Sequence, residues 1–370
     1  MARTVVKLGS SVVAGSDGEP RLDVLARHCD VLARLHIEGH EIVLVTSGAI
    51  ARGMREMGMP ARPTTIGALQ AASAIGQGKL YRVYDELLRE RGVVSAQVLL
   101  TFFDMSARTH YLNARQTLTT LLDWHVLPVI NENDTTATDE ISFGDNDFLA
   151  AQVAVLVAAG QLILLTDIDG LYTSDPRQDP SAQIVAEVSD FAALDELQIG
   201  HAGTPLGSGG MRSKVVAAEM ATAAGIPTVI CNGLRAEAIE AVLAGEPEGT
   251  RFAAGQARYS SFKLWLKYAK PTRGTLVIDD GAVRAVREGS ASLLPVGVVS
   301  VIGNFDAGDA VEIAPRLDGG LEAGRALAKG ICSYSALELR QVIGLQSDAV
   351  RAILPRASAE AVHRDYLVLD

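Results

Sequence analysis

Ser208-Gly209-Gly210-Met211-Arg212-Ser213-Lys214 is a glycine-rich loop that ends in a lysine and runs into a helix-like segment. Glycines let backbone N–H groups approach a ligand closely, and a helix N-terminus adds partial positive charge, so phosphate is the natural guest. Neither widespread phosphate fingerprint fits. No Gly-Lys-Ser/Thr closes the loop at Walker A spacing. After Gly207-Ser208-Gly209, Arg212 stands where the third glycine of the dinucleotide fingerprint belongs. Gly78-Lys79 fails as a P-loop as well, because Leu80 follows and Ser73 occupies the place of the first glycine.

Lys7 lies in or at the end of an apolar run, where an unpaired ammonium is costly to bury. Either the amine escapes to the surface at a strand end, or it reaches phosphate oxygens together with donors of the Gly9-Ser10-Ser11 turn. Lys214, one turn into its own helix, approaches the same ligand from the other side. Two lysines and backbone amides without a histidine or cysteine nucleophile fit phosphoryl transfer, which is mainly positioning and charge stabilisation. Gly144-Asp145-Asn146-Asp147 precedes an apolar helix and carries more side-chain oxygens than one N-cap requires. The surplus suits ordering lysines, holding an ammonium group or bonding magnesium-bound water. Asp167 to Pro176 has acidic residues at calcium-like intervals, but its glycine comes too early for an EF-hand, and a nucleotide-contacting turn fits better. The seven histidines show no HxH or HExxH pairing, which argues against a dedicated zinc site.

These residues must be positioned by the elements around them. Buried-strand patterns run over Thr4–Leu8, Glu41–Thr46, Val93–Leu100, Val126–Ile130, Leu162–Thr166 and Pro227–Cys231. Helical patterns over Leu22–Ala33, Ile66–Glu90, Met105–Trp124, Asp147–Ala159 and Met211–Ala224 separate them. Apolar strands alternating with helices predict an α/β fold with a mainly parallel open sheet sandwiched by helices. In such folds ligands sit beyond the carboxyl ends of the strands. There the sequence places Gly9, Ser10, Ser47, Gly48, Asn131, Asp134, Thr166 and Asp167.

The chain's 370 residues imply two or three domains. A change of pattern near Gly245–Thr250 reads as a turn or linker, and denser turns beyond Pro271, among them Asp279-Asp280-Gly281 and Asp318-Gly319-Gly320, read as a small β-rich module. The expected boundaries are a catalytic domain over 1–257, a linker over 258–271 and the module over 272–370. Net charge is −11 overall, divided as −12 over residues 1–257 and +1 over 258–370, which argues against a chain-wide nucleic-acid or anionic-membrane partner. Cys29, Cys231 and Cys332 fit no metal or redox spacing and read as buried thiols of a reducing compartment. Lys7 interrupts the only apolar stretch near the start, and Leu149–Thr166 reads as a helix followed by a strand rather than a membrane span. The expected location is cytoplasmic.

Val5-Val6-Lys7-Leu8-Gly9-Ser10-Ser11, Val45-Thr46-Ser47-Gly48-Ala49-Ile50, Pro128 to Asp134, Gly144 to Asp147, Leu165-Thr166-Asp167 and Gly209-Gly210-Met211 with Lys214 occur in that order. As an ordered set they resemble the glutamate-phosphorylating members of the amino acid kinase family. Gly289 to Pro295 and Gly303-Asn304-Phe305 resemble a PUA domain, so the likeness spans essentially the whole chain. It implies an amino acid kinase fold followed by a PUA domain, and transfer of the ATP γ-phosphoryl group to the side-chain carboxylate of L-glutamate, the first step of proline synthesis. It further implies magnesium with ATP, inhibition by proline, and a homo-oligomer, dimer or tetramer. By the same likeness Lys7 and Lys214 stabilise the transferring group while Asp147 holds both lysines. Ser47, Asp134 and Asn146 bind glutamate, with Asn131 and Asp145 nearby. Lys7, Gly9, Ser10, Thr166, Asp167 and the Ser208, Gly209, Gly210, Met211, Arg212, Ser213, Lys214 loop hold the nucleotide. Ser10 and Ser208 stand where threonine is common, and each keeps the hydroxyl.

A carboxylate acceptor is already ionised at neutral pH, so no general base is needed, in keeping with the absence of a His or Cys candidate. Other acceptors in the same family are N-acetylglutamate, aspartate, carbamate and nucleotide monophosphates, and acidic groups near Ser47 favour one with a free ammonium. Arg258, Lys263, Lys267, Lys270 and Arg273, interleaved with Tyr259, Phe262 and Trp265, form the one basic-aromatic stretch. It reads either as an RNA contact or as an amphipathic connecting helix with snorkelling lysines. The module's +1 charge weighs against RNA.

Overall fold

The computed structural model describes residues 3–15, 18–101, 104, 108–136, 146–176, 178–191, 194, 210–235, 237–255, 261–268, 270, 272–288, 291–317, 320–354 and 358–369. They form two compact units, Met1–Ser261 and Phe262–Asp370.

The first unit is built on β1 (Arg3–Leu8), β2 (Glu41–Val45), β3 (Ser95–Leu100), β4 (Leu127–Glu132), β5 (Gln161–Thr166), β6 (Glu187–Val188), β7 (Thr228–Asn232) and β8 (Thr250–Phe252). Their order in the sheet is β3-β4-β2-β1-β5-β7-β8-β6, parallel throughout except for the β7–β8 pair. The strands at the centre are near-continuous apolar runs, as a sheet covered on both faces requires. The six predicted strands are all present. The short β6 was not anticipated, and Thr250 belongs to β8, so Gly245–Thr250 is a tight connection inside this unit and not a boundary. A two- or three-residue edge strand has too few residues to show a period of its own.

Six longer helices accompany the sheet: α2 (Leu22–Ile37), α3 (Ala49–Glu56), α4 (Ile66–Glu90), α5 (Arg108–Asp123), α6 (Asn146–Leu156) and α7 (Met211–Ala223), after the single turn α1 (Ser10–Val13). A further helix, α8 (Ala238–Ala244), precedes β8. Side chains alternate across β1. Val6 and Leu8 therefore enter a core with Leu25 and Leu32 of α2 and Leu80 and Leu88 of α4, whereas Lys7 emerges on the other face, toward α6. Among the described residues no helix is long and apolar enough to cross a membrane. The three cysteines are all buried, and burial pushes the Cys29 and Cys231 thiols up to about 12.

Helices α3 and α4 approach closely because each offers a glycine. A Cβ at Gly53 would fall on the carbonyl oxygen of Ala72, and one at Gly76 on that of Ala49. This contact fixes the polar face of α4 relative to the strand ends.

In the second unit, β9 (Thr272–Ile278), β10 (Val298–Gly303), β11 (Ala310–Pro315), β12 (Ala328–Cys332) and β13 (Val362–Leu369) form a sheet ordered β10-β9-β11-β12-β13. Only β9 and β11 run parallel. Leu276, Ile278, Ile313, Tyr334 and Leu339 share its core. The unit is less purely β than its turn density suggests. Asp279 is not a turn residue but the N-cap of a helix at Asp280–Arg287, accepting from the Ala282 amide at 2.8 Å. A Ser335–Glu338 capping box opens another helix at Ala336–Val342. Within the basic-aromatic stretch a helix runs from Ser261 to Tyr268, with Leu264 and Leu266 buried and Lys267 donating to the Leu369 carbonyl at 3.2 Å. Arg258 and Tyr259 of that stretch, and Gly289, Ser290, Asp318 and Gly319, lie outside the described residues.

Gly76→Ala should cost about 1–3 kcal/mol through overpacking of α3 on α4. Gly78→Ala, on the same helix with nothing within 4 Å of its Cβ position, should be neutral or stabilising. Thermal unfolding of the two variants beside the parent checks the contrast.

Candidate active site

Strands β1, β2, β4 and β5 deliver their last residues to one edge of the sheet, where the N-termini of α6 and α7 also converge. After β2 the chain turns sharply at Gly48, whose φ of +104° lies in the left-handed region open to glycine, and this presents Ser47 at the start of α3. After β1, Gly9 donates its amide to the Leu165 carbonyl at 3.0 Å. A Cβ there would press on that oxygen at 3.1 Å and stand 3.7 Å from Lys7 Nζ. Ser10 follows, exposed.

Asp147, in the first turn of α6, is completely buried and holds two cations. Lys7 Nζ donates to Oδ1 at 2.5 Å and Lys214 Nζ to Oδ2 at 3.0 Å. Ser213 Oγ stands 3.0 Å from the same Oδ2 and 2.9 Å from the Gly210 carbonyl. Burial alone would push the Asp147 carboxyl up, but the charges and hydrogen bonds of Lys7 and Lys214 prevail and hold it well below the usual carboxylate range. One carboxylate thus spaces two ammonium groups that would otherwise repel. Gly210 is the N-cap of the 13-residue α7 and, lacking a side chain, gives its first-turn amides no side-chain cap. Met211 and Ser213 are half-buried and Arg212 is exposed.

Beside this triad lies a second, neutral-to-acidic network. Asn146 Nδ2 donates to Ser47 Oγ and to Asn131 Oδ1, both at 3.1 Å. Asn131 Nδ2 donates to Gln77 Oε1 at 2.9 Å, and Gln77 Nε2 to the Glu132 carbonyl at 2.8 Å. Asp134 accepts from Ser73 Oγ at 2.5 Å through Oδ2. Burial pushes its carboxyl above the ordinary value, against the opposing Ser73 hydrogen bond and the Arg62 charge. Asp134 Oδ1 and Asn146 Oδ1 are buried and receive no hydrogen bond among the described residues. They are two of the nine buried side-chain polar atoms left without a partner among those residues, and each such atom asks for a physical reason.

On the other side of β1, Thr166 Oγ1 donates to Asp167 Oδ1 at 3.2 Å, with Asp167 exposed. Asp169, in the acidic turn that follows, is occupied by Asn232 at 3.0 Å, Arg235 at 2.5 Å and Tyr172 at 3.2 Å. Among the described residues no cluster of three His, Cys, Asp or Glu side chains could cage a metal ion.

The fold therefore brings together Lys7, Asp147 and Lys214, and separately Ser47, Asn131, Asn146 and Asp134, while Thr166 and Asp167 stand on the neighbouring strand. Asp145, Ser208 and Gly209 lie outside the described residues. Sequence reasoning missed Ser73, Gln77 and Tyr84, whose hydroxyl meets Thr46 Oγ1 at 2.8 Å beside Ser47. The signal for the first two was present as polar residues four apart on a face of α4 made otherwise of small and apolar residues.

Residues 2–232 match the family model of the amino acid kinase family and residues 274–354 that of the PUA domain. The glutamate 5-kinase of Synechococcus sp. (strain JA-3-3Ab) is 45% identical over 367 residues, 99% of this chain and 97% of that one. The glutamate 5-kinase of Meiothermus ruber is 44% identical over 368 residues, 99% of this chain and 95% of that one. Among solved structures, the UMP kinase of Bacillus anthracis is similar with a TM-score of 0.49 at 15% identity, covering 68% of this chain and 96% of that chain.

Asp147→Asn removes the charge that both buried lysines face and should cost about 3–5 kcal/mol at neutral pH. Because the folded carboxyl is held low, its stabilisation is complete above the unfolded value near 4 and fades as pH falls below it. Urea unfolding between pH 3 and 7 should show the parent losing stability in that acid range more steeply than Asp147→Asn.

Proposed function

The chain belongs to the glutamate 5-kinases of the amino acid kinase family, and we propose that it transfers the γ-phosphoryl group of ATP to the side-chain carboxylate of L-glutamate, opening proline synthesis under inhibition by proline. The catalytic domain of this reading spans 1–257 and the PUA domain 272–370. The observation that carries the acceptor assignment is the pair of buried, unsatisfied oxygens, Asp134 Oδ1 and Asn146 Oδ1, beside the lysine triad. An ammonium group offers three donors and a positive charge to these two oxygens, whereas an N-acylated acceptor offers a single uncharged N–H.

In this reaction the acceptor carboxylate, with a reference pKa near 4.3, attacks the γ-phosphorus without a general base. The difficulty is that two anions must meet. Lys7 and Lys214 approach the moving phosphoryl group from opposite sides, and Asp147 keeps them from drifting apart or onto bulk anions. Amides of the Gly210–Lys214 turn and the Gly9-Ser10 turn receive phosphate oxygens, with Thr166, Asp167 and the rest of the Ser208–Lys214 segment on the nucleotide side. Asn146 donates to Ser47 Oγ, which leaves the Ser47 proton for a substrate oxygen. Asn131, Asp134, Asp145 and Asn146 complete the glutamate site.

The donor set fits magnesium carried on ATP rather than caged by the protein, since that ion keeps several waters and binds through phosphates plus one or two carboxylates. Asp167, exposed on this edge, would hold it, and the ion would add charge neutralisation on the phosphates.

A coupled ADP-release assay should give magnesium-dependent turnover with L-glutamate and far less with N-acetylglutamate, aspartate, carbamate or UMP. Turnover with one of these and none with L-glutamate would overturn the acceptor assignment. Added proline should raise the apparent KM for glutamate. Lys214→Ala should lower kcat by about a hundredfold or more while changing the glutamate KM much less.

A further inference from the structure

Ser73 stands in the interior of α4, fully buried, with Ala71, Ala72 and Ala74 around it. Alanine is the better helix former there, and a mid-helix serine ordinarily turns its hydroxyl back to a carbonyl of its own helix. This one instead donates at 2.5 Å to Asp134 Oδ2, 61 residues away in sequence. One turn later Gln77 spends both ends of its amide on Asn131 and the Glu132 carbonyl. The buried polar stripe of α4 thus occupies the outer atoms of the acceptor network. It leaves Asp134 Oδ1 and Asn146 Oδ1 unpartnered among the described residues.

We propose that Ser73 is a positioning residue that sets the site's preference for acceptors with a free ammonium, by engaging Asp134 Oδ2 so that Oδ1 is presented to the substrate. This inference rests on the acceptor reading above and adds a residue that touches neither substrate nor phosphate. A serine that merely satisfied a buried carboxylate would support the fold without touching selectivity, and the two roles separate in kinetics.

The experiment measures Ser73→Ala in the full chain, with L-glutamate as substrate and glutarate, which keeps both carboxylates and lacks the ammonium, as a competing ligand. The glutamate KM should rise about tenfold, the effect of losing a hydrogen bond to a charged group. The glutarate inhibition constant and the ATP KM should stay within about twofold of the parent, and kcat likewise, because Ser73 acts on ground-state positioning of the ammonium. Asp134 is faced by Ser73 from α4 and by the charge of Arg62 from the segment before it. Losing the Ser73 donor while Arg62 remains should therefore move the acid limb of kcat/KM to higher pH. Ser73→Cys, a near-isosteric and weaker donor, should fall between alanine and the parent, and it carries the test if the alanine variant is poorly folded. In an Asp134→Asn background Ser73→Ala should add little further loss.

Equal losses toward glutamate, glutarate and ATP would assign Ser73 a structural role and overturn the proposal. So would an unchanged glutamate-to-glutarate ratio and acid limb in a parent that turns over L-glutamate, and that result would leave the acceptor assignment standing. Absence of L-glutamate turnover in the parent would overturn both.

Discussion

A single buried carboxylate shared by two lysines is the constraint on which the rest of the catalytic unit turns. Asp147, Lys7 and Lys214 are each less than one-tenth exposed, and any one of them alone at that depth would be prohibitively costly. The geometry closes only if β1, α6 and α7 end at the same place. Lys7 must leave β1 on the α6 face, and Asp147 and Lys214 must each sit in the first turn of a helix. The parallel order of β2, β1 and β5 achieves this by stacking strand ends at one edge, so that each following segment starts from the same level. The two lysines, their shared carboxylate and the N-terminus of α7 then lie at one edge of the sheet.

The polar network beside the triad is organised differently. It holds no buried ion pair among the described residues. Its order comes from a chain of amide and hydroxyl contacts running from Gln77 through Asn131 and Asn146 to Ser47, anchored on a helix locked by glycine contacts to α3. Such chains lose their value when one member is removed, because a half-satisfied buried network costs more than none. Among the described residues two acceptors are left over, Asp134 Oδ1 and Asn146 Oδ1, and both are buried. The triad is thus held by charge, and the network beside it by neutral amide and hydroxyl contacts.

Much of this was legible in the sequence. The strands β1, β2, β4, β5 and β7 are apolar runs with small or polar residues just beyond them, and that alone located Ser47, Asn131, Thr166 and Asp167 on a common edge. Less legible were elements too short to carry a period, such as β6 and β8, and helices of the second unit that begin at what reads as a turn, as at Asp279. An Asp before a Gly signals a turn and a helix cap with the same residues, and only the following packing decides between them. Ser73 was legible only as a residue that spoiled a P-loop.

Taken alone, the sequence determined the fold class and the residues at the strand ends, because these follow from local periodicity and from what each residue type can do. The tertiary structure decided which of those residues meet. That Lys7 and Lys214, more than two hundred positions apart, approach one carboxylate depends on strand order and on which face of β1 is turned toward α6. The same is true of Ser73 on Asp134. A side chain's partner across a sheet edge is set by topology and packing, and neither leaves a trace in the spacing of residues along the chain.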